Sequence, residues 1–166
     1  MLTGERIVGV IPTARIKTGL FSKKAYTLVV TDRRMILAEM TNAALKGAIE
    51  EARATRKAEG GGFFGQWGAQ IGASIDFAKR YLSMTPEAIL AETPGNVALL
   101  PGDVKSIKVE RKTERRNEDN IGGDRDYLRI TVEAQGTRRE FNTDGEDPRA
   151  DSARGLLAAT FGQLVR

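Results

Sequence analysis

Arg15, Lys17, Lys23 and Lys24 flank the apolar pair Leu20-Phe21 within one short stretch. Cations at that spacing hold phosphate or carboxylate oxygens, and an apolar tip between them can dip into a lipid interface. Each Lys or Arg close to an anionic membrane contributes about 1 kcal/mol, so four make a modest patch. The competing reading is a solvated loop whose Leu20 and Phe21 belong to the core. A second constellation is apolar. Gly60-Gly61-Gly62-Phe63-Phe64-Gly65-Gln66-Trp67 places two of the six phenylalanines and the only tryptophan beside a glycine triplet. Gly68 and Gly72 stand at the four-residue spacing that lets another backbone approach closely. Self-association, capture of a partner helix and interfacial insertion all suit this stretch. So does a core role for Phe64, Trp67 and Ile71. Phe63 and Phe77 fall outside the narrow stripe, so the apolar arc is wide and needs a second surface to bury it.

Other chemistry is excluded by composition. The chain has no histidine and no cysteine, which removes thiol nucleophiles, histidine bases, zinc fingers, haem ligation and disulfide scaffolds. The acidic stretch from Glu118 to Asp126 matches no calcium-loop spacing, and Arg125 stands among its would-be ligands. The glycine-rich 60–72 region follows no strand and the sequence contains no Gly-Lys-Ser/Thr, so it is not a phosphate loop. Among 22 acids, no pair sits in an apolar context that would raise a carboxyl pKa. A binding module is therefore the first reading, an anionic-membrane module the second and an enzyme of unknown type the third. No metal and no cofactor is expected.

The net charge of +4 is unevenly spread: residues 1–41 carry seven basic against three acidic side chains, and the remainder balances. That excess biases one surface towards anionic partners but lacks the dense basic stripe of a nucleic-acid binder. The longest uncharged run, Gly60 to Ile75, is too short and too rich in glycine to cross a bilayer, which takes about 20 apolar residues. The start shows no secretory pattern, and a cytoplasmic location follows as the expectation, with contact to the inner face of the membrane under the second reading.

These residues must be positioned by a chain of 166 residues, the size of one domain. Glu5–Ile11 is rich in β-branched residues and Pro12 ends or edges it. Arg15–Lys24 suits strand, loop and strand. Tyr26–Thr31 and Met35–Met40 are apolar runs joined by the polar turn Thr31-Asp32-Arg33-Arg34, which predicts an antiparallel meander. From Asn42, taken as an N-cap, the period becomes helical and fades near Glu59 at the glycine triplet. A second stripe runs Phe64, Trp67, Ile71, Ile75, Ala78, Leu82. Thr85-Pro86-Glu87 caps a short helix to about Glu92. Strands return at Val97–Leu100, Val104–Lys112, Leu128–Val132 and Arg138–Asn142, and Asp147-Pro148 opens a final amphipathic helix. The reading is an α+β barrel or sandwich closed by a C-terminal helix, with a helical insert over residues 42–92.

The opening Gly4-Glu5-Arg6-Ile7 and the hairpin Tyr26-Thr-Leu-Val-Val-Thr-Asp-Arg-Arg-Met-Ile-Leu-Ala38 resemble bacterial and archaeal pleckstrin-homology-like, GRAM-like domains. The resemblance covers about the first forty residues well, and the final helix fits the same plan. It implies a pleckstrin-homology-like antiparallel barrel or sandwich and a platform for lipid headgroups, peptides or protein partners, seldom a catalyst. In such folds the loop holding Leu20-Phe21 often meets anionic headgroups. The long helical insert departs from the family's short connection. A homo-oligomer or a protein partner, held through Phe63, Phe64, Trp67, Ile71 and Phe77, is the expected association.

Overall fold

Strict alternation on one strand and unbroken apolar runs on two others set the layout of the molecule. The structure is a computed structural model and describes residues 4–17, 23–58, 77–115, 123–143 and 150–166. Strands β1 (Ile7–Lys17), β2 (Lys23–Thr31), β3 (Met35–Glu39), β4 (Val97–Leu99), β5 (Val104–Glu114), β6 (Arg125–Ala134) and β7 (Thr137–Thr143) form one sheet. Its order is β4-β3-β2-β1-β7-β6-β5, and every neighbouring pair is antiparallel. The helices are α1 (Asn42–Ala58), α2 (Pro86–Glu92) and α3 (Ala150–Phe161). The fold is a sheet-rich α+β arrangement around a curled antiparallel sheet.

The curl is visible in what touches what. Leu128, Ile130 and Val132 of β6 point to one side, as a half-covered strand requires, and join Leu28, Met35 and Leu37 from the other end of the sheet in one core. The trough is filled by α3, whose Ala153, Leu157 and Phe161 recur every four residues and are all buried. At Gly9 the helix comes so close to β1 that a Cβ would stand 2.7 Å from Leu156 Cδ1. After α3, Arg166 N donates to Ile107 O at 2.8 Å and Arg166 O accepts from Val109 N at 3.0 Å, which pairs the final residues with the edge of β5.

The other face of β2 and β3 is buried as well. Val29, Ile36 and Ala38 pack with Phe77, Tyr81 and Ile89 from the insert. A strand covered on both sides loses alternation and becomes apolar throughout, as Leu28-Val29-Val30 and Met35-Ile36-Leu37-Ala38 do. The insert thus lies on the convex face, opposite α3.

Two local expectations are corrected. Pro12 does not end the first strand; β1 runs on to Lys17. The register with β2 shifts between Ile11 and Ala14, and a bulge is where a residue without an N–H fits in a strand. The cap of α1 is Thr41 rather than Asn42: Thr41 Oγ1 accepts from Ala44 N at 3.0 Å. The predicted cap of α2 stands, with Thr85 Oγ1 accepting from Ala88 N and Pro86 in the first turn.

The β2–β3 turn is tied to the N-terminal segment by a half-buried cluster. Thr31 Oγ1 donates to the Glu5 carboxylate and accepts from Arg34 N at 2.9 Å. Arg34 grips the same carboxylate with both arms of its fork, Nε at 2.9 Å and Nη2 at 2.8 Å, and Nη2 also reaches Glu87 on α2 at 3.5 Å. Arg6 N donates to Asp32 Oδ1, and Asp32 N donates to Arg6 O. Arg34→Lys keeps the charge but loses the fork. It is expected to cost about 1.5 kcal/mol in urea unfolding, and Glu5→Gln about 3 kcal/mol because it strands a shielded guanidinium. Unchanged unfolding in both variants would show the clasp to be ornamental.

Candidate functional site

The β1–β2 end divides the four cations instead of gathering them. Register sets Lys17 opposite Lys23, Ile16 opposite Lys24 and Arg15 opposite Ala25. Since side chains alternate across a sheet, positions 15, 17 and 23 share one face and position 24 takes the other. Lys24 Nζ lies 3.4 Å from Glu39 Oε1, a carboxylate only 16% exposed, so much of its charge is compensated inside the fold. Arg15 is exposed and also engaged by another group. Leu20 and Phe21, and the side chains of Lys17 and Lys23, lie outside the described residues.

Of the five apolar interface candidates, Phe63, Phe64, Trp67 and Ile71 lie outside the described residues. Phe77 does not offer an open face: it is 2% exposed and sits in the convex core of its own chain. The reason is local. Residues 77–80 are helical and lead into a 3-10 turn at Tyr81–Ser83, which turns Phe77 and Tyr81 together onto Val29 and Ile36. The two rings meet edge to face at 5.5 Å and 90°. The guanidinium of Arg80 covers them, 4.7 Å from the Phe77 centroid and 5.2 Å from that of Tyr81.

Glu92, at the end of α2, binds both neighbours. It accepts from Arg80 Nη2, and its Oε2 accepts from Tyr81 Oη at 2.8 Å. Asn96 then joins α2 to the sheet, donating to Ile89 O at 2.7 Å and accepting from Glu39 N at 2.8 Å. Burial first, and the adjacent Glu92 carboxylate second, push the Tyr81 phenol above its ordinary value of 10. Sequence reading missed Arg80, Tyr81 and Glu92 as a set. No period links positions twelve apart across a turn, so only the apolar partners Phe77 and Ile89 left a trace.

Another polar contact ties the ends of β5 and β6 together. Asp126 accepts from Thr113 Oγ1 at 2.7 Å and from Arg111, contacts that hold its carboxyl below the usual range. It belongs to the acidic stretch weighed for calcium, and no group of three metal-ligating side chains occurs among the described residues. A shallow cleft of about 220 Å³ opens at the β6–β7 turn, lined by Lys105, Glu133, Gln135 and Arg138 among others. No described helix is long and apolar enough to cross a membrane. Compared with protein-family models, with curated proteins and with solved structures, the chain matches none.

The base of the insert can be tested through Tyr81. Its folded pKa lies above its unfolded value, so its contribution to stability is complete below pH 10 and fades as pH rises beyond that. The expected outcome is a late component in the alkaline phenol titration, followed by absorbance, that coincides with unfolding and is missing in Tyr81→Phe. A Tyr81→Phe titration that lacks only an ordinary component near pH 10, with alkaline unfolding unchanged, would place the Tyr81 hydroxyl in water.

Proposed function

We propose that the chain is a non-catalytic binding module of pleckstrin-homology-like plan that associates with a second copy of itself through the apolar stretch of its insert. A meander with its first and last strands paired, and a C-terminal amphipathic helix in its concave face, supports the family resemblance drawn from the first forty residues. The observation that carries the functional reading is the anchoring of the insert. Phe77, Tyr81 and Ile89 bind it to the convex face, and the Arg80–Glu92–Tyr81 bonds lock that attachment. Phe63, Phe64, Trp67 and Ile71 belong to the stretch between α1 and this anchor, and Leu82 beside the anchor is 52% exposed. Apolar residues tethered to a rigid base suit a contact between protomers, because part of the ordering cost is met before association.

Peripheral binding to an anionic membrane is the second reading. One observation favours it: the register sets positions 17 and 23, both lysine, opposite each other at the end of the β1–β2 pair. Arg15 and Lys24 contribute less, being already engaged.

Light scattering on a sizing column separates the readings. Self-association predicts a mass that is a multiple of 18.1 kDa and falls to one copy in Trp67→Ala with little change in unfolding. Phe77→Ala, by contrast, is expected to cost about 3 kcal/mol of stability, because it empties a packed site. A monomer at high concentration, unaltered by Trp67→Ala, would sink the first reading. Flotation with anionic vesicles, sensitive to salt and lost in a Lys17→Glu/Lys23→Glu chain, would then establish the second.

A further inference from the structure

The convex face of β5, β6 and β7 carries no packed helix among the described residues; the insert covers only the β1–β3 side. Register aligns Glu110, Arg129, Asn142 and Arg15 in one row running across β5, β6, β7 and β1. Arg129 is the half-buried centre of that row. Its Nε donates to Asn142 Oδ1 at 3.3 Å, its Nη2 donates to the Tyr127 hydroxyl at 3.3 Å, and its guanidinium lies 5.9 Å from the Tyr127 ring centroid.

The acids that might neutralise Arg129 are taken by other cations. Glu110, its cross-strand neighbour, holds Lys108 at 3.0 Å and Lys112 at 3.4 Å. Glu140, one step along β7, holds Arg138 at 2.8 Å. Among the described residues Arg129 is thus fixed by neutral partners alone.

Hydrogen-bond directions then decide what the row can receive. A guanidinium has only donors, so Asn142 must give Arg129 its carbonyl oxygen and turn its amide NH2 elsewhere. Tyr127 accepts on its oxygen and keeps its own O–H proton to donate. Arg15, next in the row, is exposed and already has a partner of its own, so it adds charge near the row rather than a free donor. Adjacent strands are about 4.8 Å apart, so the Cα atoms of Arg129 and Arg15, two strands apart, are separated by about 10 Å.

We infer that this row is an oxyanion site that takes a phosphate group on Arg129, with Asn142 and Tyr127 as neutral donors and Arg15 adding positive potential. It does not rest on the apolar stretch of the insert and stands whether or not the chain self-associates. The phosphate has two possible sources, a soluble phosphate compound or a phospholipid headgroup, and both meet the same donors.

The test is a titration of the full chain with inorganic phosphate at constant ionic strength, read from the arginine Nε–H and asparagine side-chain amide NMR signals. Saturable shifts centred on Arg129 and Asn142 are expected. Arg129→Gln should weaken binding about tenfold, the loss of a charged hydrogen-bond partner. Arg129→Lys should fall between it and the parent, and Arg138→Gln on the same face should bind normally. Co-sedimentation with phosphatidylcholine vesicles, with and without phosphatidic acid, then identifies the source. Binding to acid-containing vesicles that depends on Arg129 points to lipid; phosphate binding without it points to a soluble compound. Absence of saturation with phosphate, or equal affinity in the parent and both Arg129 variants, would overturn the site.

Discussion

The Thr31 hydroxyl and the Glu5–Arg34 ion pair hold together four parts of the chain at one point. Thr31 Oγ1 connects the β2–β3 turn to Glu5 ahead of β1, and Thr31 O accepts from Thr160 near the end of α3. Arg34 extends the same cluster to Glu87 on α2. With side chains 20% and 8% exposed, Arg34 and Glu5 are removed from water far enough that each depends on the other. The bidentate geometry also fixes direction, which a lysine could not do. Concave helix, convex insert and N-terminal strand are therefore referred to one turn. The opening Gly4-Glu5-Arg6-Ile7 and the turn Thr31-Asp32-Arg33-Arg34, read from the sequence as two motifs, are the two halves of one contact.

That contact sits at the turn between the two strands that are buried on both faces. On the β2–β3 side, consecutive residues are buried on both faces; on the β5–β7 side, apolar and charged residues alternate. The difference was legible in the residues. Met35-Ile36-Leu37-Ala38 has no polar member and so needs cover on each side, whereas Leu128-Arg129-Ile130-Thr131-Val132 needs it on one. The antiparallel meander, the start of α2 and the final helix followed from connection length, capping residues and period, and the local departures were small. Pro12 was overcome by a bulge because β1 needs its last residues to pair with β7 at Ala14 and Arg15. Thr41 displaced Asn42 because its hydroxyl reaches the Ala44 amide.

The candidate sites were less legible, for a physical reason. Clusters in sequence become clusters in space only when the intervening backbone keeps them on one face. A strand sends neighbours to opposite faces, so Lys23 and Lys24 part company and Lys24 meets Glu39. A turn does the reverse and joins residues with no sequence relation, as with Arg80, Tyr81 and Glu92. Phe77 read as surplus apolar area, yet the same convex sheet that makes β3 uniformly apolar supplies the surface that covers it.

The two sides of the curled sheet are covered differently. Its concave side is occupied by α3, and the described part of the insert packs on the convex side of β1–β3. Among the described residues the convex side of β5–β7 carries no helix, and there charge is arranged in cross-strand rows. A row on a sheet is a rigid array, because strand spacing sets the separation of its groups and cross-strand bonds such as Arg129–Asn142 set their orientation. Such an array suits a small, directional ligand. The Thr31 clasp fixes the described base of the insert relative to the strands that bear this row, because it ties Arg34 to Glu87 on α2 and Glu5 to the start of β1.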